Sequence, residues 1–140
     1  MKEALYQATV STFEELGFLF PLMEDEEPTA TDDTWIHVNV AYHGNENGNL
    51  VVSFQNGVIT TMAENMLDDV GEDEELILDV AGELGNVICG NVLPFVFGDQ
   101  AVFNLDAPRF EEADNAIEPE ASTKVEFEEG SVELKFYRDK

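Results

Sequence analysis

The chain reads as a single α+β domain spanning residues 1–140, with a largely antiparallel sheet and helices packed against it. Three observations predict this. Hydrophobic spacing switches between a helical repeat and strict alternation in the order α, β, β, α, α, β, β, β. Consecutive strands are joined mostly by turns, the pattern of hairpins rather than of crossovers. The chain has 140 residues, 44% of them apolar, which is enough for one ordinary domain with a real core.

The first helix is expected from about Lys2 to Leu16. Leu5, Ala8, Thr9, Thr12, Phe13 and Leu16 keep helical spacing, and Gly17 stops it. Phe18 to Met23 is apolar but broken by Pro21, and Glu24 to Asp33 is an acidic loop. From Trp35 to Tyr42, Ile36, Val38, Val40 and Tyr42 alternate with His37, Asn39 and Ala41, the signature of a half-buried strand. Turn residues from Gly44 to Gly48 lead to its hairpin partner, Leu50 to Gln55. Val58, Ile59, Met62, Ala63, Met66 and Leu67 form the apolar stripe of a second helix, and an acidic connector follows.

A third helix is expected from about Glu75 to Val92, with acids at its start where the helix dipole favours them. Pro94 and Gly98 precede a strand near Gln100–Leu105. Pro108 then opens an acidic loop reaching about Ser122. Thr123–Phe127 and Val132–Tyr137 make a closing hairpin through Glu128-Glu129-Gly130.

Charge excludes whole classes of partner. Against 31 Asp plus Glu stand 6 Lys plus Arg, a formal net of −25. After Lys2 no Lys or Arg occurs until Arg109. No basic stripe can neutralise phosphates, so nucleic acid is not the partner, nor is an anionic membrane surface. A lone Cys89 forms no internal disulfide, which fits a reducing compartment. Glu3, Glu14 and Glu15 make the N-terminus an amphipathic helix rather than a signal peptide, and the expectation is a soluble, cytoplasmic protein.

The third helix carries the informative pattern. At about 100° per residue from Asp79, Glu83 falls near 40°, Asn86 near −20° and Gly90 near 20°. Ile77, Ala81, Leu84, Gly85, Ile88 and Val92 lie opposite and face the core. Gly82, Gly85 and Gly90 each cost on the order of 1 kcal/mol relative to Ala, so something must approach this helix closely. Packing explains Gly85, on the buried side. Gly82 and Gly90 flank the polar face, where a partner or a reaction centre fits. On the residues alone, any surface helix has such a polar side.

Asp79-x3-Glu83-x2-Asn86, within Asp-Val-Ala-Gly-Glu-Leu-Gly-Asn and followed by Val-Ile-Cys-Gly-Asn, resembles the signature of the CheC/CheX/FliY chemotaxis phosphatases. Pro108 closes the pattern after 21 intervening residues. The order of elements also resembles CheX over nearly the whole chain. CheC-like members carry two copies of Glu-x-x-Asn, whereas Thr12-Phe13-Glu14-Glu15-Leu16-Gly17 carries none, so the resemblance is to CheX, with one site per subunit.

That resemblance implies a CheC-like fold, a homodimer, and hydrolysis of the aspartyl phosphate on a CheY-type response-regulator receiver. No cofactor of its own is implied; the receiver supplies Mg²⁺ and a Lys. Asn86 would position the attacking water and Glu83 would pair with the receiver's Lys. Asp79 would orient the helix or site, and Pro108 would shape the backbone beside it. A second reading is a non-catalytic docking module for a receiver or a flagellar-switch component. A third, a coincidental motif, expects Glu83 and Asn86 not to stand side by side on an open surface.

Other candidates are weaker. His37 and His43 share one side of a strand, too far apart for one compact metal site. The run Asp68 to Glu75 lacks the ligand order of a calcium loop. Cys89 has no His beside it in sequence and suits packing. Met62 and Met66 suit the core.

Overall fold

Alternation along the strands gives the sheet one apolar face, and every helix packs on it. The computed structural model describes residues 1–23, 34–67 and 73–139. The expected acidic loop 24–33 and most of the acidic connector, 68–72, lie outside the described residues. The strands are β1 (Trp35–Gly44), β2 (Gly48–Gln55), β3 (Phe103–Leu105), β4 (Ala121–Phe127) and β5 (Gly130–Arg138). They form one sheet in the order β3-β1-β2-β5-β4, with every pairing antiparallel. The register Val38↔Val52, Leu50↔Phe136, Val52↔Leu134 and Val125↔Val132 puts the large apolar side chains on one side.

Helices α1 (Lys2–Gly17), α2 (Asn56–Leu67) and α3 (Glu74–Phe97) cover that side. α1 lies over β4, α2 over β5, and α3 over β1 and β2, each helix touching the other two. Phe13 stacks on Phe127 with ring centroids 4.8 Å apart, and Tyr42 stacks on Phe136 at 5.6 Å. Met62 and Cys89 are buried, as a packing role requires, and Met66 packs at the margin.

The α+β expectation holds, but several boundaries move. β1 and β2 each extend two residues toward their turn, because Tyr42↔Gly48 still pairs. β3 shrinks to Phe103–Leu105. β4 begins at Ala121, paired with Phe136. The largest change is α3, which continues from Val92 through Pro94 to Phe97.

A proline inside a helix costs about 3 kcal/mol. The last turn survives because Phe97 packs into an aromatic cluster with Tyr42, Phe103 and Phe136, and the Arg138 guanidinium lies 4.8 Å over its ring. Aromatic pairs contribute roughly 0.5–1.5 kcal/mol each beyond burial, enough in sum to offset the proline. Gly98, at φ 95°, then ends the helix in a conformation that other residues resist.

α3 is the one helix among the described residues long and apolar enough to cross a membrane by length and composition. Its apolar side is used in the core, where Ile77, Leu84, Ile88 and Val92 are buried.

Candidate functional site

The polar stripe of α3 is set in place at both ends of its first half. Asp73 caps the helix, its carboxylate accepting from the N–H groups of Glu75 (3.1 Å) and Leu76 (3.3 Å). Such a cap is worth about 1 kcal/mol. Gly85 then fixes the rotation of the helix. A Cβ there would stand 2.8 Å from Val38 Cγ1 and 3.3 Å from Val40 Cγ2, so α3 rests backbone-first on β1. With that side down, Asp79 and Glu83 are exposed, and Asn86, half-buried, lies beside them. Neighbours three and four apart on a helix have Cβ atoms roughly 5–6 Å apart, so the three form one surface.

One wall of this surface is α1. Asn91 Nδ2 donates to Thr12 Oγ1 at 3.3 Å, tying the two helices. The other wall comes from the segment after β3. Asp106 N–H donates to the Ala41 carbonyl (3.0 Å), and Arg109 exchanges both backbone hydrogen bonds with Asn39 (2.7 and 2.9 Å). Ala107 and Pro108 therefore stand opposite Val40 alone, a bulge of one extra residue. The bulge aims Pro108 at α3, where a Cβ on Gly82 would lie 3.1 Å from Pro108 Cγ and 3.6 Å from the Phe110 ring. Gly82 is thus bare to admit Pro108, while nothing lies within 4 Å of the position a Gly90 Cβ would take.

The sequence-predicted residues Asp79, Glu83, Asn86 and Pro108 are therefore brought together, Pro108 as a flank rather than a member of the open surface. Among the described residues neither Asp79 nor Glu83 makes an ion pair.

Asn86 carries one of the two buried side-chain polar atoms without a hydrogen-bond partner among the described residues, Arg138 Nε being the other. Its Oδ1 is occluded and accepts no hydrogen bond. An unsatisfied buried acceptor costs about 1–3 kcal/mol, and such groups concentrate where function has a use for them. Rotation about Cβ–Cγ is soft and roughly two-fold, so a half-turn exchanges the carbonyl with the NH₂.

The rest of the post-Pro108 loop straps the back of the sheet, a role its acidic composition did not reveal. Asn39 Nδ2 donates to Glu111 at 3.2 Å, Arg109 pairs with Glu111 at 3.2 Å, and Glu112 lies 3.5 Å from His37 Nε2. His37 also meets Ser53 Oγ at 2.7 Å and is half-buried rather than exposed. His43 is exposed and meets Asp106 at 2.8 Å. Each histidine has a carboxylate partner of its own, Glu112 from this loop and Asp106 from the residues before Pro108. Burial pushes the Cys89 thiol up to about 12, so it stays protonated and unreactive in the folded chain.

Sequence reasoning missed Phe110, which flanks Gly82, and the groove beyond Gly90. The only sequence signal for the second was a glycine on a polar face with no packing reason.

Comparisons with known proteins bear on this geometry. The family model for the chemotaxis phosphatase CheX matches residues 36–127. No curated protein matches. Among solved structures, a CheX from Desulfovibrio desulfuricans superposes with a TM-score of 0.73 at 17% identity, covering 98% of this chain and 97% of that one. A CheX from Vibrio vulnificus gives 0.72 at 15% identity, covering 98% and 95%. A CheX from Borrelia burgdorferi, solved with CheY, beryllofluoride and Mg²⁺, gives 0.65 at 19% identity, covering 99% and 97%. The matched segment runs through β1, β2, α2 and the whole stripe of α3 to the Pro108 bulge and β4, and on that match the chain belongs to the CheX family of chemotaxis phosphatases.

Proposed function

We propose that the chain hydrolyses the aspartyl phosphate of a CheY-type receiver domain, and that Asn86 and Glu83 divide the work. The observation that carries this is one polar stripe of α3, within the segment matched by the CheX family model. On it the half-buried Asn86 has an unpaired carbonyl oxygen, and the exposed Glu83, one turn away, makes no ion pair among the described residues. The Borrelia relative solved with CheY, beryllofluoride and Mg²⁺ supports a receiver as the partner.

Chemically, water attacks phosphorus, the bond from phosphorus to the receiver's aspartyl oxygen breaks, and the carboxylate leaves as inorganic phosphate forms. The Mg²⁺ for charge neutralisation belongs to the receiver. The protein need only place the water in line, since phosphoryl transfer depends chiefly on positioning and charge stabilisation. Asn86 suits this, because its carbonyl accepts from the water and adds no negative charge beside the phosphate. Glu83 pairs with a receiver Lys and sets the register of the two surfaces. Asp79 holds the amino-terminal end of the stripe. Pro108, pressed on Gly82, fixes the backbone beside it.

The reaction takes place in the cytoplasm, on a homodimer with one site per subunit. β4, an edge strand, offers the pairing surface.

A docking-only role is the second reading, and the occluded Asn86 carbonyl favours it unless the amide turns on binding. Kinetics separate the two. Glu83→Ala should raise KM for phosphorylated receiver by about tenfold, the loss of one charge-assisted contact of about 1.4 kcal/mol. Its kcat should change little. An unchanged KM would remove Glu83 from docking.

A further inference from the structure

Beyond Asn86 the same stripe of α3 enters a groove of about 360 Å³ against α1. Ala8, Gly90 and Pro94 form its floor, Phe95 stands beside it 70% exposed, and Glu15 is on its rim. Two features give this groove a chemical preference. Pro94 has no N–H, so the carbonyl of Gly90 loses its helical donor, and Gly90 has no side chain to cover it. Glu15 lies in the last turn of α1, which carries no basic residue, and makes no ion pair among the described residues. The carbonyls at that end of α1 are already capped, by the N–H groups of Phe18 and Leu19 and by Asn65 Nδ2, so Glu15 alone supplies the negative charge on this rim. An apolar floor, an open aromatic face, a free carbonyl and an unpaired carboxylate together match a side chain with an apolar stem and a cationic head.

We infer that this groove receives a Lys or Arg side chain from the surface of the receiver, distinct from the Lys that meets Glu83. The stem lies over Ala8 and Pro94, and the head donates to the Gly90 carbonyl and to Glu15 beside the Phe95 ring. This rests on the proposed function for its partner, and it makes the groove a determinant of affinity and of receiver choice rather than of chemistry. It also meets the obvious objection to the pairing. Acid-rich receiver sites should repel a chain of net charge −25, and a second local cation contact supplies the missing complementarity.

The test measures binding of a CheY-type receiver loaded with beryllofluoride and Mg²⁺ to the full chain and its variants. Gly90→Leu fills the groove at an unobstructed helical position, so the melting temperature should hold or rise while Kd increases at least about tenfold. Glu15→Gln should raise Kd about threefold and Glu15→Lys more than that. Phosphatase assays on the same variants should show a raised KM with kcat within about twofold of the parent.

Parental affinity in Gly90→Leu overturns the inference. So does a Glu15→Lys variant that binds normally while Gly90→Leu fails, since the occupant is then apolar. Asn86→Ala distinguishes the two levels. If it loses hydrolysis while Gly90→Leu binds normally, the groove alone is wrong. If it hydrolyses normally while Gly90→Leu loses binding, the groove stands and the catalytic assignment falls. A parent that binds no loaded receiver overturns both.

Discussion

Asn86 holds a buried acceptor with nothing to accept from, at the edge of a surface where two carboxylates also stand unpaired. That cost of order 1–3 kcal/mol would be relieved by an apolar residue, which the fold would accept. Asn86→Leu should therefore match or exceed the parent in thermal stability while losing activity, a trade expected of a functional residue and not of a structural one. A clear drop in melting temperature would assign Asn86 to the scaffold.

Cys89 illustrates the opposite case. Its thiol is raised by burial from 9.0 to about 12. The folded state holds the proton more tightly than the unfolded chain, so unfolding releases protons as pH rises past 9, and stability falls across that window. Between pH 9 and about 10 the fall approaches roughly 1.4 kcal/mol per pH unit from this group, and Cys89→Ala should flatten it. Native protein at pH 8 should also resist thiol reagents until it unfolds. Rapid labelling would show Cys89 to be accessible.

At the scale of elements, α3 is held by contacts that differ in stiffness, and its glycines report them. Gly85→Ala drives a Cβ to 2.8 Å from Val38, in the middle of a buried strand. Overpacking of that kind costs about 1–3 kcal/mol, and the helix-propensity gain of about 1 kcal/mol leaves a net loss. Gly82→Ala meets the Pro108 ring at 3.1 Å, a looser contact than that of Gly85 and with a bulge rather than a buried strand. Its stability should stay near the parental value, while kcat falls as Pro108 moves away from the stripe. Thermal melts and steady-state kinetics on the pair separate packing from site geometry, and equal stability for both variants would contradict the assignment.

The same helix marks how far the sequence could be read. Its burial face, its glycine against β1 and its polar stripe follow from the 3.6-residue period, because α3 packs on one sheet face only. Its end did not. Pro94 is a local stop signal, and what overrules it is Phe97 meeting Tyr42, Phe103 and Phe136, residues brought together only by the sheet. The Pro108 bulge was likewise hidden, since an extra residue opposite Val40 exists only once the register is known. Of the candidate site, Glu83 and Asn86 were legible through the resemblance to the CheX signature, since spacing alone gives any surface helix a polar side. The α1 groove was not, because it needs two helices distant in sequence.

For the whole molecule, a net charge of −25 sets the background on which these local contacts act. The few cations are used for cohesion: Arg138 bridges Glu46 and Glu120 and covers Phe97, and Lys124 meets Glu126. With 31 acids against 6 cations, negative charge is in large excess, so self-repulsion weakens the folded state at low salt. Melting temperature should rise by several degrees between about 0.01 and 0.15 M salt, as the Debye length contracts from about 30 to 8 Å. A flat response would mean the acids are already compensated. On the proposed function, recognition by so acidic a chain falls to a few complementary points, Glu83 and the α1 groove.

The account as a whole depends on Asn86 acting on a receiver's phosphoryl group. The direct measurement is the decay of a phosphorylated CheY-type receiver with Mg²⁺, alone, with the parent chain and with Asn86→Ala at equal concentration. The account predicts acceleration by the parent and decay at the receiver's own rate with Asn86→Ala, which should remain folded and still bind. Equal acceleration by both proteins, or none by the parent, would contradict it.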